Sequence, residues 1–189
     1  GAEIWMPENA SWLRERLKRH GAILFRDIDV DSPEAFENLV DAAGFPRMPY
    51  IGGAAPRTKV TQGRVLTSNE SPPSEPIPFH HEMAQVPEPP AYIFFYCDLA
   101  PASGGETAIV HSHRVYSRFF EASPTFAKKV EKLGVRYIRV MPLEDDPTSA
   151  IGRSWKSTFM TADRKIAESK MKELGTTWQW LDDGELRTE

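Results

Sequence analysis

The chain has 189 residues, with 27 acidic against 23 basic side chains, a net charge of −4 and a single cysteine. The weak acidity argues against a whole-surface attraction to nucleic acid or anionic lipid, and Cys97 standing alone excludes an internal disulfide framework, a multi-cysteine zinc site and an iron–sulfur cluster. A chain of this size buries roughly two-thirds of the surface it exposes when unfolded, so residues 1–189 are expected to form one domain without staples. The longest strongly apolar run, Ala91 to Cys97, is far short of the ~20 residues that span a bilayer. Gly1 to Asn9 shows neither the basic-then-apolar pattern of a signal peptide nor an initiating Met, so the start is read as processed, trimmed or engineered. The lone cysteine makes a cytoplasmic location the default expectation, and an organellar address removed before Gly1 is compatible with it.

In chain order, a basic helix is predicted from about Asn9 to His20, stopped by Gly21, and Ala22 to Arg26 reads as a short strand. Ser32 as cap and Pro33 at the first helical position open a second helix. Its Phe36, Leu39, Val40 and Ala43 recur at helical spacing before Gly44 closes it. Val65 to Thr67, Tyr92 to Cys97, Glu106 to Val110 and Val135 to Val140 are β-rich runs separated by proline or glycine. Helical patterns occupy Tyr116 to Glu121, the stretch from Ser123-Pro124 to Leu133, and Asp163 to Leu174 before Gly175. Thr177 to Leu181 is a last strand candidate, and Asp182, Asp183 and Gly184 form a turn signal. This order suggests an α+β domain around a mainly antiparallel sheet.

The densest cluster of metal-capable side chains is Phe79-His80-His81-Glu82-Met83. In an extended segment, residues two apart project from one face, which brings His80 and Glu82 toward a common ion while His81 points away. An imidazole, a carboxylate and one further His from elsewhere make the facial set of non-haem Fe(II). A bare His-x-Glu is also an ordinary surface polar cluster. A zinc-peptidase site is excluded because Gln85 stands where the second imidazole belongs, and no P-loop or dinucleotide-binding pattern accompanies Gly52 and Gly53. Cys97, ending an apolar strand, reads as a small buried side chain rather than a nucleophile. Gly104-Gly105-Glu106-Thr107 permits a tight turn into a strand, and the Thr107 hydroxyl is a donor suited to a carboxylate beside a metal. By itself this is ordinary turn-then-strand chemistry.

Taken together, these motifs resemble the taurine dioxygenase and clavaminate-synthase-like group of Fe(II)- and 2-oxoglutarate-dependent oxygenases. The resemblance runs from Met48 through Tyr50-Ile51-Gly52-Gly53-Ala54-Ala55-Pro56-Arg57 and Asn69-Glu70-Ser71-Pro72-Pro73 to Pro78-Phe79-His80-His81-Glu82-Met83-Ala84-Gln85. It continues through Phe94 to Cys97, the Gly-Gly-Glu-Thr turn, and Ile151-Gly152-Arg153-Ser154-Trp155-Lys156-Ser157-Thr158-Phe159. It implies a double-stranded β-helix, a jelly roll flanked by helices. It also implies His80 and Glu82 as iron ligands, Thr107 as the residue that binds the 2-oxoglutarate carboxylate, and Fe(II) and 2-oxoglutarate as cofactors. The expected activity is oxidation of a small polar substrate coupled to decarboxylation of 2-oxoglutarate to succinate, with the loops Tyr50 to Arg57 and Asn69 to Pro73 bordering the substrate mouth.

The sequence departs from the group toward its end. The third ligand of such proteins is a late His, followed by an Arg for the far carboxylate of 2-oxoglutarate, whereas residues 114–189 contain no histidine. The jelly roll is therefore expected to be incomplete at the C-terminus. His111 and His113 are more simply solvated loop residues, with Ser112 as a helix cap. Arg136 and Arg139 are expected to be solvated or ion-paired, Trp178 and Trp180 to pack in a core or against a partner, and Glu144 to Asp146 to form an acidic loop without metal-ligand spacing. A catalytically silent, oxygenase-like fragment serving as a structural or interaction subunit is the alternative. A chain truly ending at Glu189 needs a protein partner to cover its unpaired strands.

Overall fold

The computed structural model describes residues 2–68, 70–72 and 74–189, and the side chains from 4 onward within those ranges. Two compact units share the chain: Gly1–Pro49, Arg57–Ser68 and Tyr92–Ala108 make the first, and Tyr50–Pro56, Asn69–Ala91 and Ile109–Glu189 the second.

In the first unit, helix α1 (Ala2–Glu8) is followed directly by α2 (Ala10–His20). Asn9 belongs to the end of α1 more than to a cap of α2, since its side-chain amide donates to the Trp5 carbonyl at 2.8 Å. Gly21 closes α2 in the left-handed conformation at φ 77°. Helix α3 (Pro33–Ala42) starts as its sequence predicts, with the Ser32 hydroxyl accepting from the Ala35 N–H at 3.2 Å. Leu39 and Ala43 of the expected stripe join Met6, Leu13 and Phe45 in a core on which Ile23, Phe25, Val30 and Phe94 pack. Phe36 stacks on Tyr96, with ring centroids 5.4 Å apart.

The predicted strands at 22–26, 65–67, 92–97 and 106–110 do not form. Only an isolated bridge, Lys59 to Leu66, is present in that part of the chain. The reason is physical: a β-rich run becomes a strand only when another backbone satisfies its N–H and C=O groups. Ile23, Phe25 and Phe94 still pack on the core, whereas Leu24, Phe95 and Ile109 stay exposed, and the ladders are absent among the described residues. Cys97 is consequently exposed rather than buried, because no strand draws it into a core.

The second unit carries α4 (Ser112–Ala122), α5 (Pro124–Leu133), α6 (Trp155–Phe159) and α7 (Arg164–Glu173), with a three-stranded antiparallel sheet of order β1-β3-β2. Its strands are β1 (Arg139–Met141), β2 (Trp178–Trp180) and β3 (Leu186–Thr188). Register places Met141 opposite Leu186 in one ladder and Trp180 opposite Leu186 in the other. The β2–β3 hairpin closes over the predicted turn at Asp182 to Gly184, where Gly184 takes φ 86°. Asp163 caps α7, its carboxylate accepting from the N–H groups of Lys165 and Ile166. The core joins Met141, Trp155, Phe159, Ala167, Met171 and Leu186. Trp155 satisfies its indole N–H on the Gly184 carbonyl at 3.1 Å and meets Trp180 edge to face at 5.0 Å. No helix among the described residues is long and apolar enough to cross a membrane.

Candidate functional site

His80 and Glu82 lie in the second unit, on irregular backbone that enters a turn at Glu82. Met83 takes a left-handed φ of 53° and buries its side chain, which fixes the direction in which the chain turns. Backbone bonds from the Ala84 N–H to the His81 carbonyl (3.3 Å) and from the Val86 N–H to the Met83 carbonyl (3.1 Å) hold the turn. The local conformation thus differs from a plain extended strand, yet the pair meets: His80 Nε2 stands 3.9 Å from Glu82 Oε2.

The orientation of the His80 ring is set by a neighbour that the sequence does not advertise. Its Nδ1 lies 2.8 Å from the Pro78 carbonyl oxygen. A carbonyl only accepts, so Nδ1 must carry the proton, and in the neutral ring Nε2 keeps its lone pair. This is the arrangement metal-bound imidazoles use. Two donors each about 2.1 Å from one divalent ion stand about 3.0 Å apart at right angles and about 4.2 Å apart in line. The observed 3.9 Å is wider than the right-angle spacing of a facial pair, which the two side chains would reach by closing about 1 Å. An imidazole nitrogen beside a carboxylate is also the donor set that suits Fe(II). The chemistry of the two donors, rather than their present spacing, suits a divalent iron. Among the described residues, no group of three or more His, Cys, Asp or Glu side chains is arranged to hold a metal ion.

His81 turns elsewhere and bonds the Ser112 hydroxyl at 2.6 Å. Ser112 is the first residue of α4, not its cap, a position taken by His111 without a side-chain cap bond. His113 sits inside the helix rather than in a loop but is exposed as expected, its ring 5.1 Å from that of His111, which stays outside the helix. Thr107 belongs to the first unit, exposed and outside any strand, after a turn in which Gly104 and Gly105 take φ 71° and 77°. The loop glycines expected to need left-handed backbone do need it.

Around the turn, the second unit holds the segment 50–55 from several sides. Gln85, three residues beyond Glu82, donates its amide to the Gly52 carbonyl at 2.9 Å. The Gly52 N–H donates to the Thr158 carbonyl at 3.2 Å. Arg153 bonds the carbonyls of Gly53 (3.1 Å) and Tyr50 (3.4 Å) and lies 5.0 Å over the Tyr50 ring. Tyr50 folds back so that its hydroxyl meets the Ala55 N–H and carbonyl, both at 3.3 Å. Asn69 and Pro73 of the second expected mouth loop lie outside the described residues.

The acidic loop is fully engaged in structure. Asp145 accepts from the Ser154 N–H and the Ser157 hydroxyl, both at 2.7 Å, while Glu144 pairs with Lys156 and Asp146 holds Thr148. Burial acts against the Asp145 charge, but the bonds from Ser154 and Ser157 outweigh it and hold its carboxyl below the usual range. Arg136 is ion-paired with Glu189 at 2.8 Å, as expected of it. Arg139 is not solvated: it donates to the Arg153 carbonyl at 2.7 Å. Trp180 packs on the core and bonds Glu168, and Trp178 stays partly exposed. Pro78, Gln85 and Arg153 are the contributors missed from sequence. Arg153 had a signal in its place between Gly152 and the Ser154 cap, whereas a backbone acceptor such as the Pro78 carbonyl leaves none.

A family model described as taurine catabolism dioxygenase TauD, TfdA family, matches residues 2–172. A clavaminate synthase-like protein of Arabidopsis thaliana is 51% identical over 177 residues, covering 94% of this chain and 53% of that protein. The dapdiamide synthesis protein DdaC of Enterobacter agglomerans is 30% identical over 174 residues, covering 92% of this chain and 50% of its own length. The chain thus spans about half the length of these relatives.

Proposed function

Because the chain belongs to the TauD/TfdA dioxygenase family, we propose that it carries the His80–Glu82 portion of an Fe(II) centre in a 2-oxoglutarate-dependent oxygenase. In this reading Thr107 binds the cosubstrate carboxylate, and residues 1–189 contribute to one jelly-roll domain. The third imidazole and the carboxylate-pairing Arg belong to the part of the family fold that these residues do not carry. The supporting observation is the convergence of His80 Nε2 and Glu82 Oε2, with the Pro78 carbonyl fixing the tautomer.

Bound Fe(II) with 2-oxoglutarate supplies an oxidation coupled to decarboxylation of the cosubstrate to succinate. The residues of this chain hold and orient. Pro78 keeps the Nδ1 proton in place so that Nε2 faces the ion, and Glu82 adds the negative charge that offsets the cation. Met83 pins the turn by burial, and Gln85 ties it to Gly52, so the turn and the 50–55 segment keep a fixed spacing. The Tyr50-to-Arg57 stretch then serves as a border for a small polar substrate.

Manganese(II) titration followed by electron paramagnetic resonance tests the ligand assignment without turnover. His80→Ala and Glu82→Ala should each weaken binding about tenfold or more, the loss typical of a disrupted metal shell. Equal Mn(II) affinity in the wild type and in both variants, with their folds intact by circular dichroism, would sink the assignment.

A further inference from the structure

Within the second unit, a cavity of about 60 Å³ is bordered by Gly52, Gln85 and Val86, by Arg139 of β1, and by Leu174 and Thr176 just after α7. Both kinds of group border it: Gln85, Arg139 and Thr176 offer donors, and Val86 and Leu174 offer hydrocarbon. Arg139 is the unusual member. Its side chain is half-buried and donates to the carbonyls of Arg153 (2.7 Å) and Ile151 (3.4 Å). Those bonds satisfy one nitrogen but supply no negative charge. Among the described residues, no carboxylate forms an ion pair with Arg139.

Burial and the neighbouring positive charge of Arg153 push the Arg139 guanidinium down to about 10, with Tyr50 and Asp145 only partly countering them. The one acid bordering the cavity, Glu189, is already neutralised by Arg136 and Arg187, each at 2.8 Å. A half-buried cation near a second cation is stabilised when an anion joins it, and guanidinium matches a carboxylate with two parallel N–H bonds.

The structure assigns this cavity as a binding site for a small organic carboxylate, its charged end on Arg139 and its short hydrocarbon chain against Val86 and Leu174. At about 10–15 Å³ per water-sized group, the space holds an anion of about four to six non-hydrogen atoms. Propionate and butyrate have that size. A phosphate lacks the apolar end and carries more charge than the single guanidinium bordering the cavity without an ion pair balances. The site does not depend on the iron assignment.

Butyrate titration in the presence of EDTA, read by saturation-transfer NMR, tests the assignment, with butyramide and inorganic phosphate as controls. Butyrate is expected to bind at least about tenfold more tightly than either control, given the charge-assisted pairing. Folded Arg139→Gln should lose about tenfold or more of that affinity, and folded His80→Ala should keep it. Because Arg139→Gln can unfold the unit, the wild-type chain supplies a second readout: butyrate should protect Arg139 from phenylglyoxal, measured by peptide mass spectrometry. Absence of protection, equal binding of butyramide or phosphate, retained affinity in a folded Arg139→Gln chain, or loss of affinity in His80→Ala each overturns the proposal.

Discussion

Gly53 makes a sharp test of how the 50–55 segment is held. A Cβ at this position would lie 2.2–2.5 Å from three atoms of the Tyr50 ring, closer than real contacts allow. Gly53→Ala must therefore displace Tyr50, which removes both hydrogen bonds between its hydroxyl and Ala55 and the stacking under Arg153. Two neutral hydrogen bonds at about 1 kcal/mol each, with about 0.5–1 kcal/mol for the cation–π contact, put the local cost at about 2.5–3 kcal/mol. Stiffening the unfolded chain by a Gly→Ala change returns about 0.4–1 kcal/mol. The net loss is about 1.5–2.6 kcal/mol, roughly a ten- to eighty-fold rise in local opening. Hydrogen exchange resolved to single amides reads this directly: the Ala55 and Gly52 N–H groups should lose protection by that factor. Tyr50→Ala already lacks the displaced ring, so adding Gly53→Ala to it should change little. Unchanged Ala55 protection in Gly53→Ala, or an undiminished second loss in the Tyr50→Ala background, refutes the account.

Other consequences follow from the same structure. Met171 is fully buried in the second unit's core, so Met171→Ala should lower its stability by about 2–5 kcal/mol in urea unfolding followed by Trp fluorescence. Ser32→Ala removes the cap of α3 and should cost the first unit about 1 kcal/mol, seen as faster exchange at the Ala35 amide. The Asp145 carboxyl is held below its ordinary value of 3.8 in the folded chain. Its contribution is thus present above that unfolded value and fades as pH falls through the lower folded one. Melting temperatures of the wild type and Asp145→Asn should differ at neutral pH and converge in strong acid, and a gap that widens on acidification would contradict the sign.

Helices were legible in this sequence because their signals are local. Ser32 with Pro33, Asp163 at the start of α7 and Gly21 after α2 act through bonds within a few residues, and each appears where its chemistry places it. Strands answer to partners far away in sequence. Tyr92 to Cys97 has all the apolar character of a strand but finds no ladder among the described residues, while Leu186 to Thr188, with only three residues, becomes the central strand because β1 and β2 flank it. The short helix α6 escaped prediction for a related reason, its five residues being held by the Ser154 cap and by burial of Trp155 and Phe159 rather than by a repeated apolar pattern.

The same distinction governs the site. His80 and Glu82 are two residues apart on non-helical backbone, a spacing that permits their approach, while the turn at Met83 and the Pro78 carbonyl set how they face each other. Spacing did not reveal Arg139. Across Val135 to Val140 both faces are apolar, with Val135, Tyr137, Ile138 and Val140 all at least 49% exposed, so the pattern does not say which side faces inward. Pairing decides it: β1 starts at Arg139, and period two puts Arg139 on the same face as the buried Met141. A residue that composition assigns to solvent is thereby turned onto the side of β1 that carries Met141, where its guanidinium donates to backbone carbonyls without an ion pair among the described residues. The register of a three-residue strand, set by Leu186 and Thr188 opposite it, is what converts an ordinary arginine into a candidate anion receptor.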